Sequence, residues 1–344
     1  MQKVYHLSHT DLDGYGCQYF STKVFQDITC FNANYGAEVS DKLEEILYLI
    51  KKNILIQKDV LILITDVNLT MKDSNWIFKE AMKLGAKLQL LDHHITGKAC
   101  SENFEWYYLD STRSATKITY DYLQKNHGFD SENRYAQIVK AINAVDIWLS
   151  DDELFEFGKV CLGMISRSNE INRILFETND REYKLTLIEK AQNYIQKENG
   201  HIILDNELHT LRKAFLNTDN TQDDTKDNLS AIYISNLLTQ QKERLTIKYK
   251  GHKGILGFNL GNTSILGNKF LVQNPDYDFF MDLNSRGTFS LRSADRLDVS
   301  NMAQDIAGGG GHKNASGGKI DGFRESFIYA DIKEFVEDFI NKKR

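Results

Sequence analysis

The sequence has few of the residues that stiffen or cross-link a chain. Only 4 cysteines and a single proline, Pro275, occur among its 344 residues. The cysteines are widely spaced and form no CxxC pair, so we expect reduced, buried thiols and no metal site built on sulfur. A single proline argues against a proline-rich spacer, and we therefore expect any connector between domains to be helical.

Long apolar runs are also absent, since none reaches the roughly 18 residues that a transmembrane helix requires. Excess positive charge is missing too: 42 Lys and Arg stand against 48 Asp and Glu, for a formal net charge of -6. This balance argues against the basic face that neutralises a long nucleic acid. A nucleotide or a short oligonucleotide remains compatible with it.

The composition is nevertheless that of a folded chain, with 41% hydrophobic and 26% charged residues. Its length exceeds the roughly 100 to 200 residues of one ordinary domain. Three short aliphatic runs, at residues 3–8, 60–65 and 87–91, are separated by segments with helical spacing, such as Val39–Ile50. This alternation predicts a parallel α/β sheet. Helical spacing recurs at Ala136–Trp148, which predicts that Asp146 lies on a helix or on its last turn.

The pattern changes along the second half of the chain. We expect a catalytic α/β domain at 1–150, a helical connector at 151–228 that ends in the polar stretch Asn217–Asn228, and a smaller α/β domain with a mixed sheet at 229–344. Within the last domain a glycine-rich segment lies near residue 308, and a terminal helix is expected from about Ile332. The β-type runs that predict its sheet are Leu229–Ile234, Gly254–Leu260 and Thr288–Arg292.

Four segments rich in aspartate or histidine lie in the first 150 residues, and three of them directly follow an apolar run. Ligands of parallel sheets bind outside the carboxyl ends of the strands, so these segments are expected to meet there. Two divalent cations about 3.5 to 4 Å apart need several carboxylates, one of them bridging, with imidazoles to complete the shells. The segments are His9-Thr10-Asp11-Leu12-Asp13, Thr65-Asp66, Asp92-His93-His94 and Ala144-Val145-Asp146.

Each segment also has a simpler structural interpretation. An aspartate such as Asp11 or Asp66 at a strand-to-helix turn commonly caps the helix. The Asp92-His93-His94 triplet favours a ligand role more strongly, because burying unpaired imidazoles costs about 1 to 3 kcal/mol each. Together the four segments favour a metal centre and a hydrolase. A cleavable presequence would remove His9, so we also expect a cytoplasmic protein without a membrane partner.

The triplet Asp92-His93-His94 resembles the motif that names the DHH phosphoesterase superfamily. The segment Gly308-Gly309-Gly310-Gly311-His312-Lys313-Asn314-Ala315-Ser316-Gly317 is similar to the GGGH motif of the accessory C-terminal domain of that family, so the resemblance extends over almost the whole chain. The N-terminal string Ser8-His9-Thr10-Asp11-Leu12-Asp13-Gly14 is similar to the oligoribonuclease branch called nanoRNase B.

The resemblance implies roles for individual residues. Asp92 would orient a neighbouring imidazole, and His94 would approach the scissile phosphate, with Asp66 as the bridging catalytic carboxylate. Mn²⁺ is the implied metal, two ions per site, with Mg²⁺ or Co²⁺ as possible substitutes. The implied ligands are His9, Asp11 and Asp66 for one cation, and Asp13, Asp66, His93 and Asp146 for the other.

The resemblance also implies a substrate-binding set in the second half. Consecutive glycines let backbone N–H groups form an anion-binding nest at a helix start, to which His312 adds a donor. The simpler alternatives are a flexible linker for the glycines and a solvated strand residue for Arg292. The segment Ser111–Thr116 is expected to cap the following helix, although its N–H groups could instead face a phosphate. The implied set is Arg292, Gly309, Gly310, Gly311, His312 and Ser316.

These observations predict a metal-dependent exonuclease that hydrolyses very short RNA, about 2 to 5 nucleotides, to mononucleotides, because each further phosphate would need its own basic partner. The alternatives are a phosphatase for adenosine 3',5'-bisphosphate, a phosphodiesterase for linear or cyclic dinucleotides and, less favoured, an inorganic pyrophosphatase. A nucleotide sensor without catalysis is the alternative from another class. A homodimer is possible by analogy with relatives.

Overall fold

The computed structural model describes residues 2–53, 59–218 and 223–342. The chain forms two compact units. Unit 1 comprises Met1–Ser168 and Lys184–Leu208, and unit 2 comprises Asn169–Tyr183 and His209–Arg344. Residues 219–222 of the predicted polar stretch Asn217–Asn228 lie outside the described part. The predicted boundaries at residues 150 and 228 remain predictions.

Unit 1 is built on a parallel sheet of five strands in the order β2-β1-β3-β4-β5. The three predicted strands are confirmed, and the sheet has two further strands at its edges. Parallel strands with helical crossovers are covered on both faces, which explains why all six residues of the central β3 are buried. The strands are β1 (Lys3–Ser8), β2 (Asp27–Asn32), β3 (Val60–Thr65), β4 (Lys87–Asp92) and β5 (Tyr107–Leu109).

The helices around this sheet follow the apolar spacing of the sequence. On one face, Ile62 and Ile64 of β3 pack in a buried cluster with Leu43 and Ile46 of α2 and Ile77 of α3. This cluster is the driving force that holds α2 and α3 to the sheet. The helices up to Ser166 are α1 (Leu12–Val24), α2 (Ala37–Lys52), α3 (Met71–Lys83), α4 (Lys98–Ser101), α5 (Ala115–His127), α6 (Ala136–Asp146) and α7 (Phe155–Ser166).

The segment predicted as a helical connector is mostly helical among its described residues, with turns between the helices. It contains α7 and two longer helices, α8 (Arg173–Ala191) and α9 (Gly200–Leu216). Each of the longer helices contributes residues to both units, since the unit boundaries fall after Tyr183 and after Leu208. Phe176 interrupts the regular backbone of α8 with φ -135 and ψ 54.

Unit 2 carries a mixed sheet of six strands in the order β10-β11-β9-β8-β7-β6, as the sequence predicts. The β7–β8 pair is parallel and the other pairs are antiparallel. The strands are β6 (Thr246–Tyr249), β7 (His252–Phe258), β8 (Phe279–Leu283), β9 (Thr288–Ser293), β10 (Gly310–His312) and β11 (Ala315–Lys319).

The prediction of a β-type run at Leu229–Ile234 is wrong, because these residues lie inside a helix. Thr225 caps that helix by accepting a hydrogen bond from the N–H of Asn228, and the buried positions continue past the run to Leu237 and Leu238 at helical spacing. The remaining helices are α10 (Lys226–Gln240), α11 (Lys242–Leu245), α12 (Thr263–Gln273), α13 (Val299–Ala307) and α14 (Tyr329–Lys342).

The predictions about the cysteines and about membrane-spanning helices can be compared with the structure. Cys17, Cys30, Cys100 and Cys161 are all buried and form no disulfide bond, as expected. Among the described helices, none is long and apolar enough to cross a membrane.

Candidate metal centre

The acidic and histidine segments lie at one edge of the unit 1 sheet. Three of them follow directly on β1, β3 and β4, whose carboxyl ends meet at that edge. The fourth closes α6, and Asp146 is the last residue of that helix, as the sequence predicts. The candidate ligands supplied in this way are His9, Asp11, Asp13, Asp66, His93 and Asp146.

Asp11 serves the helix and the cluster together. Its Oδ1 accepts a hydrogen bond from the N–H of Gly14 at 3.0 Å, so the residue is the N-cap of α1. Its Oδ2 lies 2.9 Å from Nδ1 of His9. A Cβ atom on Gly14 would lie 2.5 Å from the carbonyl oxygen of His9, so only glycine allows this tight turn. The capping interpretation and the ligand interpretation of Asp11 are thus compatible.

Asp13 is buried and held by the first turn of α5. Its Oδ2 accepts a hydrogen bond from the N–H of Ala115 at 2.7 Å, and its Oδ1 accepts one from the N–H of Thr116 at 2.8 Å. The start of a helix favours a negative charge, which stabilises this carboxylate. Ser114 caps α5, as the sequence predicts. The N–H groups that could have faced a phosphate face Asp13 instead.

Asp66 lies at the centre of the cluster with φ 57, a backbone region that aspartate tolerates better than most residues. Its Oδ1 lies 3.4 Å from Nε2 of His93, and its Oδ2 lies 3.8 Å from Nδ1 of His9. The alternative that Asp66 caps the next helix is wrong, because Thr70 caps α3 by accepting from the N–H of Asp73. One carboxylate therefore faces two imidazoles, one with each oxygen.

The two histidines of the triplet have different surroundings. His93 uses both ring nitrogens within the cluster, because its Nδ1 also lies 3.5 Å from Oδ2 of Asp146. Nδ1 of His94 lies 2.7 Å from Oδ1 of Asp92, a hydrogen bond that fixes the orientation of the imidazole ring. The hydroxyl of Tyr107 donates to the other oxygen of Asp92 at 3.1 Å and fixes that carboxylate in turn.

Among the residues that the structure describes, three groups of side chains are close enough to hold a cation, with the ligand atoms of each group within 4.8 Å of one another. Asp66 belongs to two of the groups, and so does His93. The groups are His9 with Asp11 and Asp66; Asp66 with His93 and His94; and Asp13 with His93 and Asp146.

Divalent cations fit this donor set. Burial and neighbouring carboxylates raise the pKa of Asp13 and of Asp66, and they raise the pKa of Asp146 to about 9. The buried Oδ2 atoms of Asp66 and Asp146 have no hydrogen-bond partner within the described residues. Burial lowers the pKa of His93, which favours the neutral imidazole that binds metal. Cations would compensate the crowded negative charge and use the unpartnered oxygens.

The predicted substrate residues lie in unit 2. The register pairs His312 of β10 with Ala315 of β11, and Ala315 with Arg292 of β9, so these three residues form one row across the sheet. Side chains in one row point to the same face. Arg292 donates to the hydroxyl of Ser264 at 2.7 Å. Ser316 lies one residue along, on the other face, where its buried hydroxyl donates to the carbonyl of Val299.

The glycine segment is placed differently from the prediction. It was expected at a helix start, but Gly308 is the C-cap of α13 with φ 62, and Gly310 and Gly311 lie in the β10 strand. A Cβ atom on Gly309 would lie 2.3 Å from the carbonyl oxygen of Gly317, and one on Gly311 would lie 2.5 Å from that of Ala315. Gly309 and Gly311 are therefore required by the close approach of two backbone segments, whereas a Cβ atom on Gly310 would meet no atom within 4 Å.

Sequence reasoning missed two aromatic residues near the cluster. Tyr35 follows the unpredicted strand β2, and its hydroxyl lies 2.9 Å from Nε2 of His94. Trp148 lies two residues after Asp146, in the left-handed conformation with φ 56, and is 65% exposed. Glycine is usual at such a helix end. A large exposed aromatic residue is unusual at such a position. It can be noticed in the sequence only when the end of the helix is known to fall at Asp146.

The fold and the site together define an α/β protein with a carboxylate and imidazole cluster that could bind metal ions. No family model matches the chain. A protein of Helicobacter pylori (strain ATCC 700392 / 26695), a 3',5'-cyclic-nucleotide phosphodiesterase, is 44% identical over 349 residues, which cover 99% of each sequence. The chain belongs to the same family as that phosphodiesterase. The crystal structure of an uncharacterized protein from Helicobacter pylori G27 matches with a TM-score of 0.91 and 43% identity, over 99% of this chain and 100% of that chain.

Proposed function

We propose that this chain is a metal-dependent phosphodiesterase that hydrolyses 3',5'-phosphodiester bonds in small nucleotides. The observation that carries the proposal is the orientation of Asp66, which presents Oδ1 to His93 and Oδ2 to His9. A carboxylate with one oxygen toward each of two cation sites is what a bridging ligand requires. The kinship with the Helicobacter pylori enzyme supports the same reaction class.

The proposed roles of the residues are based on the three groups of ligand atoms: the ligands are divided between two cations, and His94 is assigned to the phosphoryl group. Bound divalent cations, which we propose are Mn²⁺, would supply an activated water and neutralise charge on the phosphoryl oxygens. His94, held by Asp92, would contact the phosphoryl group. The proposed ligands are His9, Asp11 and Asp66 for one cation and Asp13, Asp66, His93 and Asp146 for the other. The DHH-type motifs support this assignment.

The first candidate substrate is a 3',5'-cyclic nucleotide, since the relative at 44% identity has that activity in its name. The second candidate is a short RNA, which contains the same 3',5' linkage. The resemblance of the segment Ser8–Gly14 to the oligoribonuclease branch supports it, and Arg292 and His312, which point to one face of the unit 2 sheet, are candidate phosphate-binding residues. We also propose a cytoplasmic enzyme without long nucleic-acid partners.

A substrate panel tests the proposal. Purified protein with Mn²⁺ would be given 3',5'-cyclic AMP and GMP, RNA dimers to pentamers, an RNA of about 24 nucleotides, adenosine 3',5'-bisphosphate and cyclic di-AMP. Turnover of cyclic mononucleotides alone would support the first candidate. Faster turnover of dimers, together with a larger loss for the dimer than for cyclic AMP on Arg292→Ala, would support the second. Faster cleavage of the long RNA than of the dimer would refute the second candidate, and the absence of any turnover of cyclic mononucleotides would refute the first.

Asp66→Asn tests the bridging role of Asp66, and nucleotide binding by the wild type tests the sensor alternative. Asparagine tolerates the backbone conformation of Asp66 but lacks its charge, so we expect loss of bound Mn²⁺ and of turnover, with little change in folding. Binding of nucleotides by the wild type without any turnover would favour the sensor alternative. Wild-type rates in Asp66→Asn would refute the bridging role.

A further inference from the structure

Tyr35 lies against the catalytic edge of unit 1 on the loop after β2. Its ring centroid is 4.6 Å from that of His9 and 5.6 Å from that of His94, the latter in an edge-to-face arrangement. Its hydroxyl lies 2.9 Å from Nε2 of His94. The residue is nevertheless 49% exposed. The two histidines fix the ring, and the rest of the side chain is exposed to solvent. A ligand could therefore contact Tyr35 without the cost of ordering its side chain.

The hydroxyl of Tyr35 is the last member of a chain of hydrogen bonds. Tyr107 donates to one oxygen of the Asp92 carboxylate, and the other oxygen accepts from Nδ1 of His94. The only ring nitrogen of His94 that remains for a substrate is Nε2, and Tyr35 is bonded to it. A phosphate ester that approaches His94 therefore meets the tyrosine hydroxyl as well.

We infer that Tyr35 is a substrate-facing residue whose hydroxyl leaves Nε2 of His94 when the phosphoryl group contacts that nitrogen, and then donates its hydrogen bond to the sugar oxygen that leaves phosphorus. The inference rests on the proposed function. In the reaction a water oxygen forms a new bond to phosphorus while the bond from phosphorus to the sugar oxygen breaks. That sugar oxygen keeps the electron pair, and a proton released by the attacking water reaches it through the solvent. The phenol remains protonated and stabilises the charge that builds up on the departing oxygen.

The geometry favours this role over that of a side chain that blocks His94 until the substrate displaces it. Carboxylates dominate the centre, and they are acceptors only when ionised, so donors for a departing oxygen must come from other side chains. Among the described contacts of His94, Tyr35 supplies the only hydroxyl bonded to its Nε2. The ring itself packs on His9, which belongs to the candidate cation group of His9, Asp11 and Asp66.

Tyr35→Phe tests the inference, because it removes the hydroxyl and keeps the ring. Two kinds of ester are compared: the nucleotide that the wild type hydrolyses best, and bis(p-nitrophenyl) phosphate, whose leaving group is stable as an anion. We expect kcat for the nucleotide to fall on the order of 10²-fold, with KM changed less than about threefold. For the p-nitrophenyl ester we expect a loss of less than about threefold, because that leaving oxygen needs no donor.

The matched control is Tyr48→Phe, which removes the hydroxyl of a 64% exposed tyrosine on α2 and is expected to leave both rates unchanged. Metal content and melting temperature of Tyr35→Phe should equal those of the wild type. An equal loss with both esters would overturn the inference in favour of a structural role. Unchanged or faster nucleotide hydrolysis would overturn it in favour of a plug that the substrate displaces. A wild type inactive on every ester would instead refute the proposed function on which the inference rests.

Discussion

Asp66 meets two requirements at one backbone position. It turns the chain directly after β3 with φ 57, and it presents a carboxylate oxygen to each of two imidazoles. Only a short polar side chain satisfies both requirements, since most residues are strained in the left-handed region.

Asp282 is another buried acid, but it lies outside the candidate metal centre. It lies on β8 in unit 2, and the N–H of Leu260 donates to it at 3.2 Å.

Asp282 should make the stability of the protein depend on pH. Burial raises its pKa to about 7, well above the ordinary value of an aspartate, so the folded state holds its proton more tightly than the unfolded state does. The stabilising contribution is complete below the unfolded pKa and is lost as the pH rises through about 7. Asp282→Asn should therefore gain stability relative to the wild type, by about 2 kcal/mol between pH 5 and pH 8.

Urea unfolding of both proteins at pH 5 and pH 8 measures this difference. Asp321→Asn, which removes one negative charge from an exposed position of the same unit, controls for the change in net charge. A difference between Asp282→Asn and the wild type that is the same at both pH values would contradict the prediction.

At the scale of elements, strands of uniform aliphatic composition were predictable and those of mixed composition were not. β1, β3 and β4 contain the aliphatic runs, whereas β2 reads Asp27-Ile28-Thr29-Cys30-Phe31-Asn32 and lies at the sheet edge. Most candidate ligands are identifiable from the sequence because they follow predictable strands, and Asp146 is identifiable because it ends a segment of helical spacing. Tyr35 is not, because it follows β2 and because its partner His94 is 59 positions away. The error at Leu229–Ile234 arose because a short apolar run fits both periods.

The start of α5 connects helix stability to the metal centre. Ser114→Ala removes the cap whose side chain accepts from the N–H of Lys117, and it should cost about 1 kcal/mol of stability. The next two N–H groups hold Asp13, so we also expect a several-fold weaker affinity for Mn²⁺. Thermal unfolding and metal titration measure the two effects.

Thr225→Ala is the matched control, because Thr225 caps α10 in the same way but belongs to unit 2. It should cost similar stability and leave the metal affinity unchanged. An equal loss of metal affinity in both variants would show that the effect of Ser114→Ala is global.

At the scale of the whole molecule, the candidate ligands all belong to unit 1, and the row of His312, Ala315 and Arg292 belongs to unit 2. The candidate ligands include more carboxylates than imidazoles, and folding brings them close together in a buried cluster. We therefore expect metal binding to be coupled to folding. A cation that binds the folded state alone stabilises it by about 2.7 kcal/mol at a concentration 100 times its Kd.

Addition of Mn²⁺ to chelator-treated protein should therefore raise its melting temperature by several degrees. Differential scanning fluorimetry over a range of metal concentrations measures the shift. Asp66→Asn should show a much smaller shift at the same concentrations, and a full shift in that variant would contradict the assignment of Asp66 as a shared ligand.

The passage of α8 and α9 between the units has a practical consequence for recombinant fragments. Residues 184–208 return to unit 1, where Gln192 donates to the hydroxyl of Tyr19 at 2.6 Å and Glu189 accepts from Lys23 at 2.8 Å. A gene shortened to encode only residues 1–168 would omit these partners of α1, the helix that Asp11 caps. Such a product should express poorly or precipitate, whereas a version that adds residues 184–208 through a short glycine and serine tether should remain in the supernatant.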